Sequence, residues 1–134
     1  MKSRDTLVRL KQFQADEERR RVLQLQTMIA EFTRMTNDLD REIGVEEQRA
    51  NISDPSHFAY PTYARAARVR RDNLNHSLND LRQKLADAQD RMKEAGDELA
   101  KAQNHESRDH AAERMVDIVA ERRVADRNDA FRRA

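Results

Sequence analysis

The sequence contains no cysteine and no tryptophan, and only two glycines and two prolines among its 134 residues. Without cysteine, the chain has no disulfide framework and no thiolate chemistry. Two distant glycines cannot form the glycine-rich loop that holds phosphate groups. Aromatic residues make up 4% of the chain, so we do not expect a large globular core.

Long apolar runs are also missing. No run approaches the roughly 20 apolar residues that a bilayer-spanning helix needs. The opening stretch MKSRDTLVRLKQ has no apolar core of the kind found in secretory signal peptides. We therefore expect a cytoplasmic protein.

The chain also has no large excess of either charge, because it contains 26 basic and 25 acidic residues. Short basic clusters occur at 17–21, 68–71 and 131–133, and each has acidic neighbours. A nucleic-acid-binding protein is expected to carry a basic stripe, so we predict no nucleic-acid partner.

The residues that remain favour long helices. Ala, Glu, Lys, Leu and Arg make up about half of the chain, which is typical of a coiled coil when the apolar residues are periodic. The apolar residues of the first half alternate in steps of three and four, which is the heptad pattern of a coiled-coil seam. They are Val22, Leu25, Ile29, Phe32, Leu39 and Ile43, and Thr36 is the one polar residue in the series. Leu7, Leu10 and Phe13 lie off this phase.

The second half repeats the pattern over four heptads, which indicates a coiled coil. Its seam consists of Leu74, Leu78, Leu81, Leu85, Ala88, Met92, Ala95, Leu99 and Ala102. The phase then reaches Glu106 and Asp109, where the apolar seam stops. A new apolar group follows at Met115, Val116, Ile118 and Val119.

Between the two patterns lies the stretch ANISDPSHFAYPTYARAA at 50–67, with both prolines and both tyrosines. Asn51 can end the first helix in a left-handed conformation, and Asp54 before Pro55 predicts a short turn. Such a short link makes the two helices antiparallel neighbours. We predict an all-α fold, one coiled-coil domain over 1–134, with helices at about 3–50 and 62–130 and a loop at 51–61.

The predicted helices are unequal in length. If the loop centres near residue 56, facing residues have numbers that add up to about 112. Residues after about 110 then extend beyond the paired region. This extension is either a frayed tail or a docking helix, and we favour the docking helix because no other part of the chain remains to cover it.

No enzyme constellation is visible. His105 and His110 are five residues apart and do not share a helix face. A metal site at His105 and Asp109 is conceivable, but solvated charge is the simpler reading. We predict no catalytic residue, no cofactor site and no metal site.

The aromatic break has two possible roles. Phe58, Tyr60 and Tyr63 either fold over the end of the coil and cap its core, or some of them stay exposed as binding anchors, since interfaces favour aromatic anchors. The apolar residues outside the two seams either pack on one another or insert into a partner. They are Leu7, Leu10, Phe13, Met115, Val116, Ile118 and Val119.

The whole chain resembles the flagellar FliJ family, small cytoplasmic proteins of the type III export apparatus. The resemblance rests on the opening MKSRDTLVRLKQFQADEERRR, the long seam, the loop ISDPSHFAYPTYA and the longer second helix. The loop is similar to that of alphaproteobacterial members.

The resemblance implies an antiparallel hairpin that serves as a non-enzymatic stalk or adaptor in protein export. Its terminal end would enter the hexameric export ATPase, and the loop end would contact the export-gate membrane protein at the inner membrane. Export chaperones are further implied partners. The residues implied at the ATPase end are Leu7, Leu10, Phe13, Met115, Ile118 and Val119. Those implied at the loop end are Phe58, Tyr60 and Tyr63. The alternative is a structural coiled-coil module that self-associates and has no export role.

Overall fold

The computed structural model describes residues 2–133 as two helices, α1 at Lys2–Ala50 and α2 at Thr62–Arg133. No strand occurs in this part of the chain. The helices pack against each other as antiparallel neighbours, which confirms the predicted all-α helical hairpin. None of the described helical segments has both the length and the apolarity that crossing a membrane would require.

The chain divides into two compact units, which we call the loop unit and the terminal unit. The loop unit comprises Glu18–Met92, and the terminal unit comprises Met1–Glu17 with Lys93–Ala134.

In the loop unit, the heptad seam forms the core. Val22, Leu25, Leu81 and Ala88 are buried in one cluster. A second cluster lies nearer the loop and consists of Leu39, Ile43 and Ala67, with Leu74 against it. Every seam residue of this unit is buried or half-buried, so the spacing of apolar residues translates directly into packing.

The end of α1 is closed as the sequence predicts. Asn51 has a φ of 53°, in the left-handed region. Its N–H donates to the carbonyl of Gln48, and the N–H of Ile52 donates to the carbonyl of Glu47, each at 3.2 Å. This pair of hydrogen bonds is a Schellman motif, which satisfies carbonyls at the helix end.

The loop that follows is a tight turn built on Asp54. Oδ1 of Asp54 accepts hydrogen bonds from the N–H and the hydroxyl of Ser56 at 3.0 and 2.8 Å. The carbonyl of Asp54 accepts from the N–H of His57 at 3.1 Å. The N–H of Tyr60 then donates to the carbonyl of His57, and α2 begins at Thr62.

In the terminal unit, the seam continues with more polar side chains. Ala15 and Ala102 are buried, whereas Asp5, Glu106 and Asp109 are half-buried at the helix contact. Ion pairs join the helices here. Arg4 Nε lies 2.9 Å from Asp109, and Lys11 Nζ lies 3.8 Å from Glu98.

No other part of the described chain packs over the last part of α2. All residues of 110–133 are exposed, and the segment is helical throughout. This arrangement agrees with the extension expected from the unequal helix lengths. We call residues 111–133 the exposed segment.

Candidate partner-binding surfaces

Three apolar side chains of α1 stay exposed in the terminal unit: Leu7, Leu10 and Phe13. Their off-seam phase explains this exposure, because Val8 and Ala15 occupy the positions that face α2. Leu7 also lines a small recess together with Arg4, Ala102 and His105. The three residues therefore form an apolar surface that the seam does not use.

The exposed segment carries an amphipathic face. Residues at intervals of three and four lie on one side of a helix, and here they line a shallow apolar groove. Its lining residues are Met115, Val116, Val119, Ala120, Arg123, Val124 and Arg127. The groove contains two of the residues implied for ATPase binding, Met115 and Val119. Ile118 is exposed but does not line it.

The three loop aromatics differ in how far they are buried. Tyr60 is buried, with 4% of its surface exposed, and the guanidinium of Arg65 lies 5.5 Å from its ring centroid. Phe58 is 94% exposed, and its ring stacks on His57 with centroids 4.8 Å apart. Nδ1 of His57 accepts a hydrogen bond from the N–H of Ala59 at 3.0 Å. Phe58 is therefore displayed on an ordered turn, and Tyr60 has a structural position.

Tyr63 is exposed and fixed by one side-chain contact across the hairpin. Its hydroxyl donates to Oε2 of Glu42 at 2.8 Å. This hydrogen bond raises the pKa of Tyr63 above its ordinary value of 10.0, with the charge of Glu42 as the second cause. Of the three aromatics, Phe58 and Tyr63 are thus available to a partner.

A further apolar surface, which we did not predict, lies on α1 of the loop unit. Leu23 and Met28 are exposed and line a shallow groove with Arg20, Gln24 and Thr27. Both apolar residues lie off the heptad phase. The criterion that singled out Leu7, Leu10 and Phe13 would have found them as well.

The histidines of the terminal unit do not form the His105 and Asp109 pair that we considered. Asp109 instead pairs with Arg4 at 2.9 Å. The structure brings together Asp5, Glu106 and His110, whose potential ligand atoms all lie within 4.8 Å of one another. We call these three residues the terminal cluster.

The groups of the terminal cluster shift one another's pKa values. A side-chain hydrogen bond with Glu106 holds the pKa of Asp5 below its ordinary value, and the imidazole of His110 acts in the same direction. The same hydrogen bond with Asp5 raises the pKa of Glu106. The two carboxyl groups therefore behave as a pair rather than as independent surface charges.

The fold and these surfaces define a helical hairpin with exposed apolar faces. Comparison of the chain with protein-family models, curated proteins and solved structures gave no match.

Proposed function

We propose that this chain is a non-enzymatic stalk and adaptor of the flagellar type III protein export apparatus. It binds the hexameric export ATPase and the cytoplasmic domain of the export-gate membrane protein, and so promotes export. The proposal combines the resemblance to the FliJ family with one structural observation. That observation is the exposed apolar face on the terminal unit, which lies where the resemblance expects the ATPase contact.

The exposed segment needs a partner on physical grounds. Isolated helices are marginally stable in water, and most helices in proteins are stabilised by packing of an apolar face. The groove around Val119 has no such packing within the described chain. Arg123 and Arg127 lie within the groove lining, so a partner surface that combines apolar residues with carboxylates would be complementary to it.

The loop unit supplies the second proposed contact. Phe58 is displayed on the ordered turn, and Tyr63 follows five residues later on the first turn of α2. We assign these two residues to the export gate, and we assign Tyr60 the role of holding the turn from inside. The protein would then be cytoplasmic and would reach the inner membrane through the export apparatus. Export chaperones belong to the same proposal as additional partners.

The test is binding to the purified flagellar export ATPase, measured by co-elution and then by titration. We expect the unmodified chain to bind and the Val119→Glu variant to bind about tenfold or more weakly, because a charge would enter the apolar contact. Ala111→Glu is the matched control, since it adds the same charge to the same exposed segment outside the groove. Circular dichroism checks that both variants keep their helix content.

Two results would contradict the proposal. One is that the unmodified chain binds neither the ATPase nor the gate domain. The other is an equal loss of ATPase binding in Val119→Glu and Ala111→Glu, which would mean that the groove is not the contact.

The same groove also favours the alternative function, a structural coiled-coil module that self-associates. An uncovered apolar face can pair with the same face of a second copy. Sedimentation equilibrium distinguishes the two functions. A stable dimer that Val119→Glu dissociates, together with no binding to the ATPase or the gate, would support the alternative.

A further inference from the structure

The terminal cluster lies where the seam between the helices becomes polar. Asp5 belongs to α1, and Glu106 and His110 belong to α2. Nε2 of His110 lies 3.3 Å from Oδ1 of Asp5, and the ligand atoms of all three residues fall within 4.8 Å of one another. One imidazole and two carboxylates therefore meet at one point between two helices.

Helix packing sets the positions of these groups. Glu106 and His110 are four residues apart, so they project from the same face of α2. Asp5 and Glu106 are both half-buried at the helix contact. The ion pair of Arg4 with Asp109, at 2.9 Å, joins the same two helices beside the cluster. The fold therefore positions Asp5 and Glu106 at the helix contact, and the exposed imidazole of His110 reaches them from the same face of α2.

The charges of the cluster favour a cation. Two carboxyl groups face each other across the helix contact, and a nearby positive charge relieves such crowding. Arg4 immediately precedes Asp5 in the sequence, but its guanidinium is directed to Asp109. Nδ1 of His110 lies 4.0 Å from Oε2 of Glu113, so a small side-chain rotation would be needed before this carboxylate could accept a hydrogen bond and orient a metal-bound imidazole.

We propose that Asp5, Glu106 and His110 bind one divalent transition-metal ion, with Zn²⁺ as the best fit. Zinc binds imidazole nitrogen and carboxylate oxygen at about 2.0–2.2 Å, so tetrahedral donors lie roughly 3.3–3.6 Å apart. The distance of 3.3 Å between His110 Nε2 and Asp5 Oδ1 meets this spacing. A rotation of the Glu106 side chain closes the remaining distance, and water completes the coordination.

The imidazole nitrogen of His110 determines which class of metal ion the cluster favours. Mg²⁺ and Ca²⁺ prefer oxygen ligands throughout, whereas Zn²⁺ accepts nitrogen and oxygen together. A bound ion joins the first turns of α1 to α2 and stabilises that part of the terminal unit. This site is independent of the proposed role in export, and its test does not use any export protein.

The test is calorimetric titration of the full-length, tag-free chain with ZnCl₂, after treatment with a chelator and dialysis. We expect one ion to bind per chain. His110→Ala and Asp5→Asn should each weaken binding about tenfold or more, because even residues outside the ligand set change metal affinity by tenfold. His105→Ala is the matched control, since it removes a histidine of the same helix outside the cluster, and it should keep the unmodified affinity.

A second readout locates the ion. Zinc should slow amide hydrogen exchange in the first turns of α1 in the unmodified chain, but not in Asp5→Asn. The proposal is overturned if no saturable binding occurs, if MgCl₂ binds as tightly as ZnCl₂, or if His105→Ala loses as much affinity as His110→Ala.

Discussion

The hydroxyl of Tyr63 donates a hydrogen bond to Oε2 of Glu42 at 2.8 Å, and so connects the first turn of α2 to α1. A neutral phenol can donate to an ionised carboxylate, but a phenolate cannot. The contact therefore depends on the protonation state of one side chain, and it lies close to the aromatic turn that we assign to a partner.

The pKa of Tyr63 should lie above 10.0, and Glu42→Gln should lower it. The hydrogen bond to Glu42 is the main cause of the shift, the charges of Glu42 and Glu46 add to it, and Arg70 opposes it. The folded state holds the phenol proton of Tyr63 more tightly than the unfolded state does. The contact therefore stabilises the fold fully below pH 10.0, which is the ordinary pKa of a tyrosine. This stabilisation is lost as the pH rises through the folded pKa.

The measurement is an ultraviolet titration of tyrosinate in a Tyr60→Phe background, which leaves Tyr63 as the one remaining tyrosine. Glu46→Gln is the control and should shift the pKa less than Glu42→Gln does. An unchanged pKa in Glu42→Gln would mean that the hydrogen bond is absent in solution.

Tyr60→Phe should leave the free energy of unfolding unchanged or raise it by about 1 kcal/mol. The hydroxyl of Tyr60 is buried and has no hydrogen-bond partner among the described residues, and an unsatisfied buried polar group costs about 1–3 kcal/mol. Tyr60→Ala should instead lower the free energy of unfolding by about 3 kcal/mol, because it also removes the ring. Urea unfolding measures both, and a large loss of stability in Tyr60→Phe would reveal a partner for the hydroxyl.

Much of the fold could be predicted from the spacing of apolar residues. The heptad phase identified Leu81 and Ala88 as core, because a seam position recurs about once per helical turn and faces the other helix. Asn51 was predictable from its chemistry, since asparagine tolerates the left-handed conformation that ends a helix.

The aromatic turn was harder to predict. Phe58, Tyr60 and Tyr63 have similar apolar character, and their different fates depend on the turn that Asp54 and Ser56 set up. Sequence spacing within an irregular loop does not determine which ring points inward. The roles of cap and anchor were therefore both left open, and the structure shows only that Tyr60 is buried while Phe58 and Tyr63 are exposed.

The terminal cluster could not be predicted, because it depends on the register between two helices at single-residue precision. The expected register places Asp5 opposite Ser107. In the structure, Asp5 contacts His110 at 3.3 Å and shares a hydrogen bond with Glu106. A heptad pattern defines which faces meet, but the side chains that touch also depend on the exact path of the loop and on side-chain length.

Leu81→Ala should lower the free energy of unfolding by about 3 kcal/mol, because it leaves a cavity in the core of the loop unit. Leu81 is 7% exposed and packs with Val22, Leu25 and Ala88. Leu23→Ala is the matched control on an exposed leucine, 56% accessible, and should change stability by less than about 0.5 kcal/mol. Equal losses in the two variants, measured by urea unfolding, would contradict the assigned seam.

Phe58→Ala should weaken binding to the cytoplasmic domain of the export gate about tenfold or more, if the ordered turn presents this ring as an anchor. Because Phe58 is almost fully exposed, the substitution should change the free energy of unfolding by less than about 0.5 kcal/mol. A loss of binding without a loss of stability therefore separates a contact residue from a structural one. Titration of the gate domain, followed by fluorescence anisotropy, provides the measurement.

Phe13→Ala is the matched control for that experiment. It removes the same exposed side chain, but from the terminal unit, where we expect the ATPase contact. Phe13→Ala should weaken binding to the ATPase and leave binding to the gate domain intact, and Phe58→Ala should do the reverse. If both variants affected both partners equally, the assignment of one partner to each unit would be wrong, because that assignment requires each ring to contact a different partner.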